Sequence, residues 1–233
     1  AIRRVLPILR DSRKVSQLTP DAIADYQRAR AKQGVRPATI NREVAALKGM
    51  LTAAAKAGKI SSSPISQAGM LPEDNVRDVH EPRTVLAKLL RACPRWFRPL
   101  VHFAGRHPTR RGEVERLDRR EIDLAAGRLM LGPDRTKTSQ GRSFPLHPLA
   151  RLYIAKSGVI AGPLWRQPNG RPLNDTRIRR EWARAIQRAG LSQAVRQGGE
   201  WTPLRFHDLR HIAADLLISA GTDTHQVLAM GGW

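Results

Sequence analysis

Between Ser61 and Arg83 the chain carries Pro64, Pro72 and Pro82 together with the acidic pair Glu73-Asp74. Proline fixes φ and removes a backbone donor, so neither a helix nor a central strand runs easily through such a stretch. The sequence therefore has to fold in two parts. They are expected at residues 1–68 and 83–233, joined by a linker over 69–82.

The first part reads as helices only. Thr19-Pro20-Asp21 is a start signal, with Thr19 as N-cap and Pro20 at the first helical position, and Gly34 closes a helix of roughly 13 residues. From Pro37 to Ala57, Ile40, Val44, Leu47, Leu51 and Ala55 recur at helical spacing, and Gly58 ends the run. Its other face shows Asn41, Arg42, Lys48 and Lys56. The second part is mixed. Leu89 to His102 has helical character interrupted by Pro94 and Pro99, and a further helix is expected from Thr109 with Val114 and Leu117 inward. Short strands follow at 121–124, 128–131 and 142–146, with a hairpin tip at Ser139-Gln140-Gly141, and a small antiparallel sheet fits them. Helices are expected over 148–157, 174–189, 206–220 and 223–230.

Charge narrows the function. There are 41 Lys+Arg against 20 Asp+Glu, a formal +21, of which 33 are Arg and 8 Lys. Guanidinium forks match phosphate oxygens bidentately, and the excess is spread over both parts, +6 in residues 1–82 and +15 in 83–233. Both parts look built to sit against a polyanion. One cysteine, Cys93, excludes a disulfide framework and fits a reducing compartment, and no apolar run reaches the roughly 20 residues of a membrane span. No secretory signal is evident, so a cytoplasmic protein is expected.

The most informative string is His207-Asp208-Leu209-Arg210-His211. On a helix His207 and Arg210 share a face and can converge on one phosphate. Three further elements accompany it: Arg110-Arg111-Gly112-Glu113 opening a helix, Thr136-Lys137-Thr138 ahead of Arg142-Ser143-Phe144-Pro145-Leu146, and Gly231-Gly232-Trp233. Asp118, Glu121 and Asp123 cluster in sequence but fall at a helix end and a strand start, so no metal site is assigned to them. Trp165, Trp182 and Trp201 are read as core residues, Tyr26 as part of the helical bundle and Tyr153 as a core or surface residue.

Taken together these elements resemble the tyrosine recombinases of the phage-integrase family, over nearly the whole chain. The resemblance implies an all-α, SAM-like core-binding domain followed by a mixed α+β catalytic domain with a small antiparallel sheet, the two clamping duplex DNA. Thr39-Ile40-Asn41-Arg42-Glu43 with Leu47-Lys48 is similar to the core-binding signature, so Thr39, Asn41, Arg42 and Lys48, with Arg142 in the second domain, are expected DNA contacts. By the family's motif order, Arg110 and Arg210 are implied as the phosphate-gripping arginines and Lys137 as general acid toward the leaving oxygen. His207 is implied as a phosphate ligand assisting proton transfer, and Trp233 as an indole N–H donor. Glu113 and His211 are expected in supporting roles. No cofactor or metal is implied.

The implied function is site-specific DNA recombination through a 3′-phosphotyrosyl intermediate, serving integration or excision of a phage or mobile element. The partners implied are double-stranded DNA and further copies of the protein, a dimer on a core site and a tetramer in the synapse. Three features depart from the family, one being the short entry at Thr84-Val85-Leu86-Ala87, where a longer capped approach to the next helix is usual. His107-Pro108-Thr109 precedes Arg110 where Thr-Gly-Leu is usual, and the nucleophilic tyrosine expected about nine residues beyond the Trp233 position is not within the 233 residues. As it stands the chain is expected to bind DNA without cleaving it. The alternatives are a Xer-type dimer resolvase, a type IB topoisomerase, which the integrase-like N-terminal motif disfavours, and a non-catalytic DNA-binding protein on the same scaffold.

Overall fold

A computed structural model describes residues 15–135 and 140–233, so expectations for Thr136, Lys137, Thr138 and Ser139 lie outside the described residues. The chain divides into two compact units at Asn75/Val76.

In the N-terminal unit, α1 (Pro20–Lys32) starts at Thr19, whose hydroxyl accepts the Ala22 N–H at 3.2 Å, and α2 (Pro37–Lys56) starts at its own proline. Ile40, Val44, Leu47 and Leu51 of α2 close on Leu18, Ile23 and Tyr26, with Ile65 and Ala68 completing the core. Burying such side chains contributes about 1.5–3 kcal/mol each. The buried carboxylate and phenol of this unit are paired. Glu43 receives Arg30 through Nε at 3.1 Å and Nη2 at 2.9 Å, and the Tyr26 hydroxyl at 2.6 Å. Burial and the adjacent Glu43 carboxylate push the Tyr26 phenol up to about 12.

The stretch 69–82, read as a linker, is divided between the units. Gln27 donates to the Gly69 carbonyl at 2.9 Å, and the Asn41 carboxamide exchanges two hydrogen bonds with the Leu71 backbone, each 2.8 Å. Beyond the boundary, Asp78–Val79 forms β1, which pairs antiparallel with β5 (Val195–Gln197) of the second unit.

The C-terminal unit places helices around two small sheets. Its helices are α3 (Pro82–Ala92), α4 (Arg98–Ala104), α5 (Arg111–Glu115), α6 (Pro148–Lys156), α7 (Asp175–Ala189), α8 (Asp208–Ser219) and α9 (Thr224–Gly231). One antiparallel sheet runs β2 (Ile122–Asp123), β3 (Arg128–Leu131), β4 (Arg142–Pro145), with Leu129 opposite both Ile122 and Phe144. Alternation along β3 buries Leu129 and Leu131 and leaves Arg128 and Met130 outside. The other sheet orders β1, β5, β6 (Glu200–Thr202) and was not anticipated, because its strands are two or three residues long. The sequence expectation of one helix from Leu89 to His102 resolves into α3 and α4, separated where Pro94 breaks the run.

The core of this unit joins Leu86, Leu89, Phe97, Val101 and Phe103 to Val114, Leu129, Phe144, Leu209 and Ile212. Trp165 and Trp182 are buried there, each with its indole N–H on a backbone carbonyl, Val114 at 2.6 Å and Leu204 at 3.2 Å. Trp201 departs from expectation. It lies exposed on β6 with its ring edge-on to His80, because its position on a two-sided hairpin turns it away from the core. Cys93 is buried at the end of α3, and desolvation pushes its thiol up to about 12. Among the described residues, no helix is long and apolar enough to cross a membrane.

Candidate functional site

The site begins with a braced loop. His107 is buried between α4 and the start of α6; its Nδ1 lies 2.8 Å from the Phe103 carbonyl and its Nε2 accepts the His147 N–H at 3.0 Å. Both contacts are met by a neutral ring with the proton on Nδ1. Burial holds the ring far below its usual range, at about 3. This histidine fixes the departure from the usual family loop, and Arg110 follows three residues later at the N-cap of α5.

Glu113 closes that helix start. Its buried carboxylate accepts the Arg110 backbone N–H at 2.7 Å and Arg110 Nη1 at 3.3 Å, while Arg110 Nη2 donates to the Gly232 carbonyl. The same carboxylate receives Arg142 Nη2 at 2.5 Å, and Arg142 Nε donates to the Met230 carbonyl at 2.9 Å. Two guanidiniums thus sit at the C-terminal end of α9, where cations are favoured by the helix dipole. Arg142, expected as a DNA contact, lies opposite Leu131 in the sheet, which carries it beside Glu113 with its side chain only 10% exposed.

Arg210 enters from α8. It is buried, its guanidinium lies 3.8 Å from the centroid of the Trp233 ring, and its Nη1 makes no hydrogen bond. Burial first, then the positive charge of Arg110, lowers its pKa to about 10. Arg142 Nη1 is likewise buried without a partner. Three guanidiniums therefore face one carboxylate, and the unspent donors suit an anion.

The Gly231-Gly232-Trp233 turn makes this convergence possible. A Cβ on Gly231 would run into the Trp233 ring. Gly232 has φ +69°, and a Cβ there would lie 2.9 Å from Arg142 Nη1 and 3.2 Å from Arg110 Nη1. Only glycine satisfies both the left-handed backbone and that approach.

His207 stands at the rim, just ahead of α8, with the half-buried His211 edge-on at 5.8 Å between ring centroids. Partial desolvation, His211, Arg210 and Arg110 hold its pKa below the usual imidazole value, against the opposing pull of Asp208. It stays largely neutral near pH 7, as a proton acceptor requires.

The structure thus brings Arg110, Glu113, Arg210, His207, His211 and Trp233 into one region of the C-terminal unit, and Lys137 lies outside the described residues. The N-terminal residues fare differently. Thr39 is half-buried and Arg42 exposed on α2. Asn41 is buried, with its carboxamide spent on Leu71 and on Glu73 at 2.6 Å, and Lys48 Nζ donates to the Ser66 and Ala68 carbonyls at 3.1 and 2.5 Å. Both side chains, expected as DNA contacts, hold the 66–73 segment on the bundle. Among the described residues, no group of three or more His, Cys, Asp or Glu side chains is placed to hold a metal ion.

Residues 82–233 match the phage integrase family, and residues 2–71 match the phage integrase N-terminal domain. The chain belongs to the phage integrase family. The integrase of Salmonella phage P22 is 25% identical over 203 residues, covering 80% of this chain and 49% of that protein, so the chain spans about half the length of this relative. Among solved structures, a lambda integrase (75–356) dimer bound to a COC′ core site superposes with a TM-score of 0.73 at 21% identity, covering 93% of this chain and 79% of that one. A lambda integrase tetramer bound to a Holliday junction gives 0.71 at 20% identity, covering 98% and 70%. The Tn1549 transposon integrase in complex with circular intermediate DNA gives 0.70 at 16%, covering 99% and 84%. These likenesses show the tyrosine recombinase fold, with a helical N-terminal domain and a mixed C-terminal one.

Proposed function

We propose that this chain supplies the DNA-binding and phosphate-activating parts of a site-specific tyrosine recombinase, acting in integration or excision of a phage or mobile element in the bacterial cytoplasm. The observation that carries the reading is the convergence of Arg110, Arg142 and the buried Arg210 about the buried carboxylate of Glu113, with Nη1 of Arg142 and of Arg210 left without a partner. Cleaving a phosphodiester builds negative charge on the nonbridging oxygens, and fixed donors in a desolvated site stabilise that charge in the transition state. Arg110 and Arg210 would grip those oxygens. Trp233 packs its ring on the Arg210 guanidinium and would direct its indole N–H to the phosphate. His207 would take the proton of the attacking hydroxyl, and Lys137 would protonate the departing 5′-oxygen.

Neither tyrosine of the chain fits the role of nucleophile. Tyr26 is bonded to Glu43 inside the N-terminal unit, and Tyr153 sits on α6 against His102 with ring centroids 5.4 Å apart. In this reading the attacking tyrosine lies outside residues 1–233, and the chain alone binds duplex DNA without becoming attached to it. The similar lambda integrase structures, a dimer bound to a core site and a tetramer bound to a Holliday junction, support assembly of copies on DNA.

The test uses a nicked suicide duplex and a full-length protein containing this chain. Arg210→Ala is expected to lower single-turnover cleavage by at least about 100-fold while duplex affinity changes little. Equal loss of both would make Arg210 a binding residue, and an unattached full-length parent would favour a DNA-binding protein without catalysis. A covalent adduct formed by the 233-residue chain would place the nucleophile inside it.

A further inference from the structure

Arg77 lies two residues past the boundary of the units, in the stretch that the sequence presents as linker. Its side chain is only 10% exposed. Nε donates to Asp208 Oδ1 at 2.8 Å, and Nη2 to Asp208 Oδ2 at 2.7 Å and the Pro203 carbonyl at 3.0 Å. Nη1 donates to Gln197 Oε1 at 2.7 Å and Thr202 Oγ1 at 3.2 Å. Every nitrogen of the guanidinium is used inside the protein, so this arginine, unlike Arg210, holds nothing in reserve for DNA.

What it holds is the start of α8. Asp208 is buried, and its Oδ2 also accepts the Arg205 N–H at 2.7 Å, closing the turn that leads into the helix. Among the described residues, no side chain caps the first N–H groups of α8 itself, so the Arg205–Asp208 turn, held by Arg77, is what fixes how the helix begins. Asp208 stands directly after His207 and two residues before Arg210, so a rotation of this first turn would carry both off the phosphate. The fork geometry matters. Two parallel bonds from a planar guanidinium fix the carboxylate in orientation as well as position.

We propose that Arg77 is a positioning residue: through Asp208 it sets the first turn of α8 so that His207 and Arg210 face the same phosphate. The proposal rests on the recombinase reading above. Arg77 touches no reacting atom, and it makes the entry of the chain into the C-terminal unit and the His-x-x-Arg box one mechanical piece.

The test compares Arg77→Lys, Arg77→Met and Arg77→Met/Asp208→Asn with the parent. Lysine keeps the charge but reaches one oxygen only. In the full-length protein, Arg77→Lys is expected to stay folded and bind duplex within about threefold of the parent, while single-turnover cleavage falls about tenfold or more. Cleavage by Arg77→Lys at the parental rate would overturn the proposal. A second reading comes from the imidazole titration of His207 by NMR in the 233-residue chain, which needs no activity. The groups facing His207 are Asp208, which raises its midpoint, and His211, Arg210 and Arg110, which lower it. With Arg77 gone, the Asp208 charge is unmasked, so the midpoint is expected to rise in Arg77→Met and to fall back in the double variant. An unchanged midpoint in Arg77→Met would overturn the latch. Should the full-length parent fail to cleave, the proposed function falls, and the titration still decides on Arg77. Should Arg77→Met fail to fold, cleavage and titration of Arg77→Lys decide.

Discussion

Replacing Glu113 with alanine removes the buried carboxylate that Arg110 and Arg142 share beside Arg210. The side chain is 4% exposed and receives the Arg110 backbone N–H at 2.7 Å, Arg110 Nη1 at 3.3 Å and Arg142 Nη2 at 2.5 Å. Breaking a buried pair from one side costs about 3–5 kcal/mol, because the remaining charge is left uncompensated. A unit of this size shifts its Tm by about 2–4 °C per kcal/mol, so the transition of the C-terminal unit should fall by about 6–20 °C. Glu113→Gln keeps an oxygen for the Arg110 N–H and should cost about 1–3 kcal/mol. Calorimetry reads both. Because the loss is one of counter-charge, added sulfate should restore Glu113→Ala more than it stabilises the parent, by linkage to the vacated cationic pocket. A Tm for Glu113→Ala within 2 °C of the parent, estimated against the same shift scale, would refute the argument that this carboxylate holds the arginines together.

Two further outcomes follow from the geometry. Burial holds His102 at about 4 and His107 at about 3, both below the value of about 6.5 in an unfolded chain. The unfolded state therefore binds protons more readily, and the stability these rings contribute is complete above pH ~6.5 and lost as pH falls. By pH 5 each should have cost about 2 kcal/mol, the loss continuing toward the folded-state values; a Tm that is flat from pH 7 to 5 would contradict this. Gly231→Ala should push the Trp233 ring off Arg210, and in the full-length protein cleavage should fall at least about tenfold with duplex binding kept; parental cleavage would show the ring contact to be dispensable.

Much of the architecture is legible because local signals and tertiary packing agree. Thr19-Pro20 and Pro37 start α1 and α2, and Ile40, Val44, Leu47 and Leu51 form the buried stripe that their spacing announces. The β2-β3-β4 sheet is legible for the same reason, through alternation along 128–131. What sequence hides is pairing at a distance. Asn41 belongs by residue type to the polar face of α2, but its partner Leu71 is 30 residues away and turns it inward. Arg142 has the chemistry of a phosphate contact, but only its register opposite Leu131 reveals that it stands beside Glu113. Arg77 sits among linker-like residues, and nothing in its neighbourhood signals a carboxylate 131 positions along the chain. The His207–His211 string is legible because a helix imposes its spacing, whereas the shared carboxylate of Glu113 emerges only when distant elements meet.

The seclusion of Cys93 at the end of α3 has a practical side. A thiol titrating near 12 is almost wholly protonated at neutral pH, and the thiolate is the reactive form. A cysteine introduced at an exposed position, such as Arg42 on α2, would then be the one that takes a fluorophore or spin label in the folded protein. The 233-residue chain is in this sense already a blank background for spectroscopy on DNA, with no need to remove Cys93.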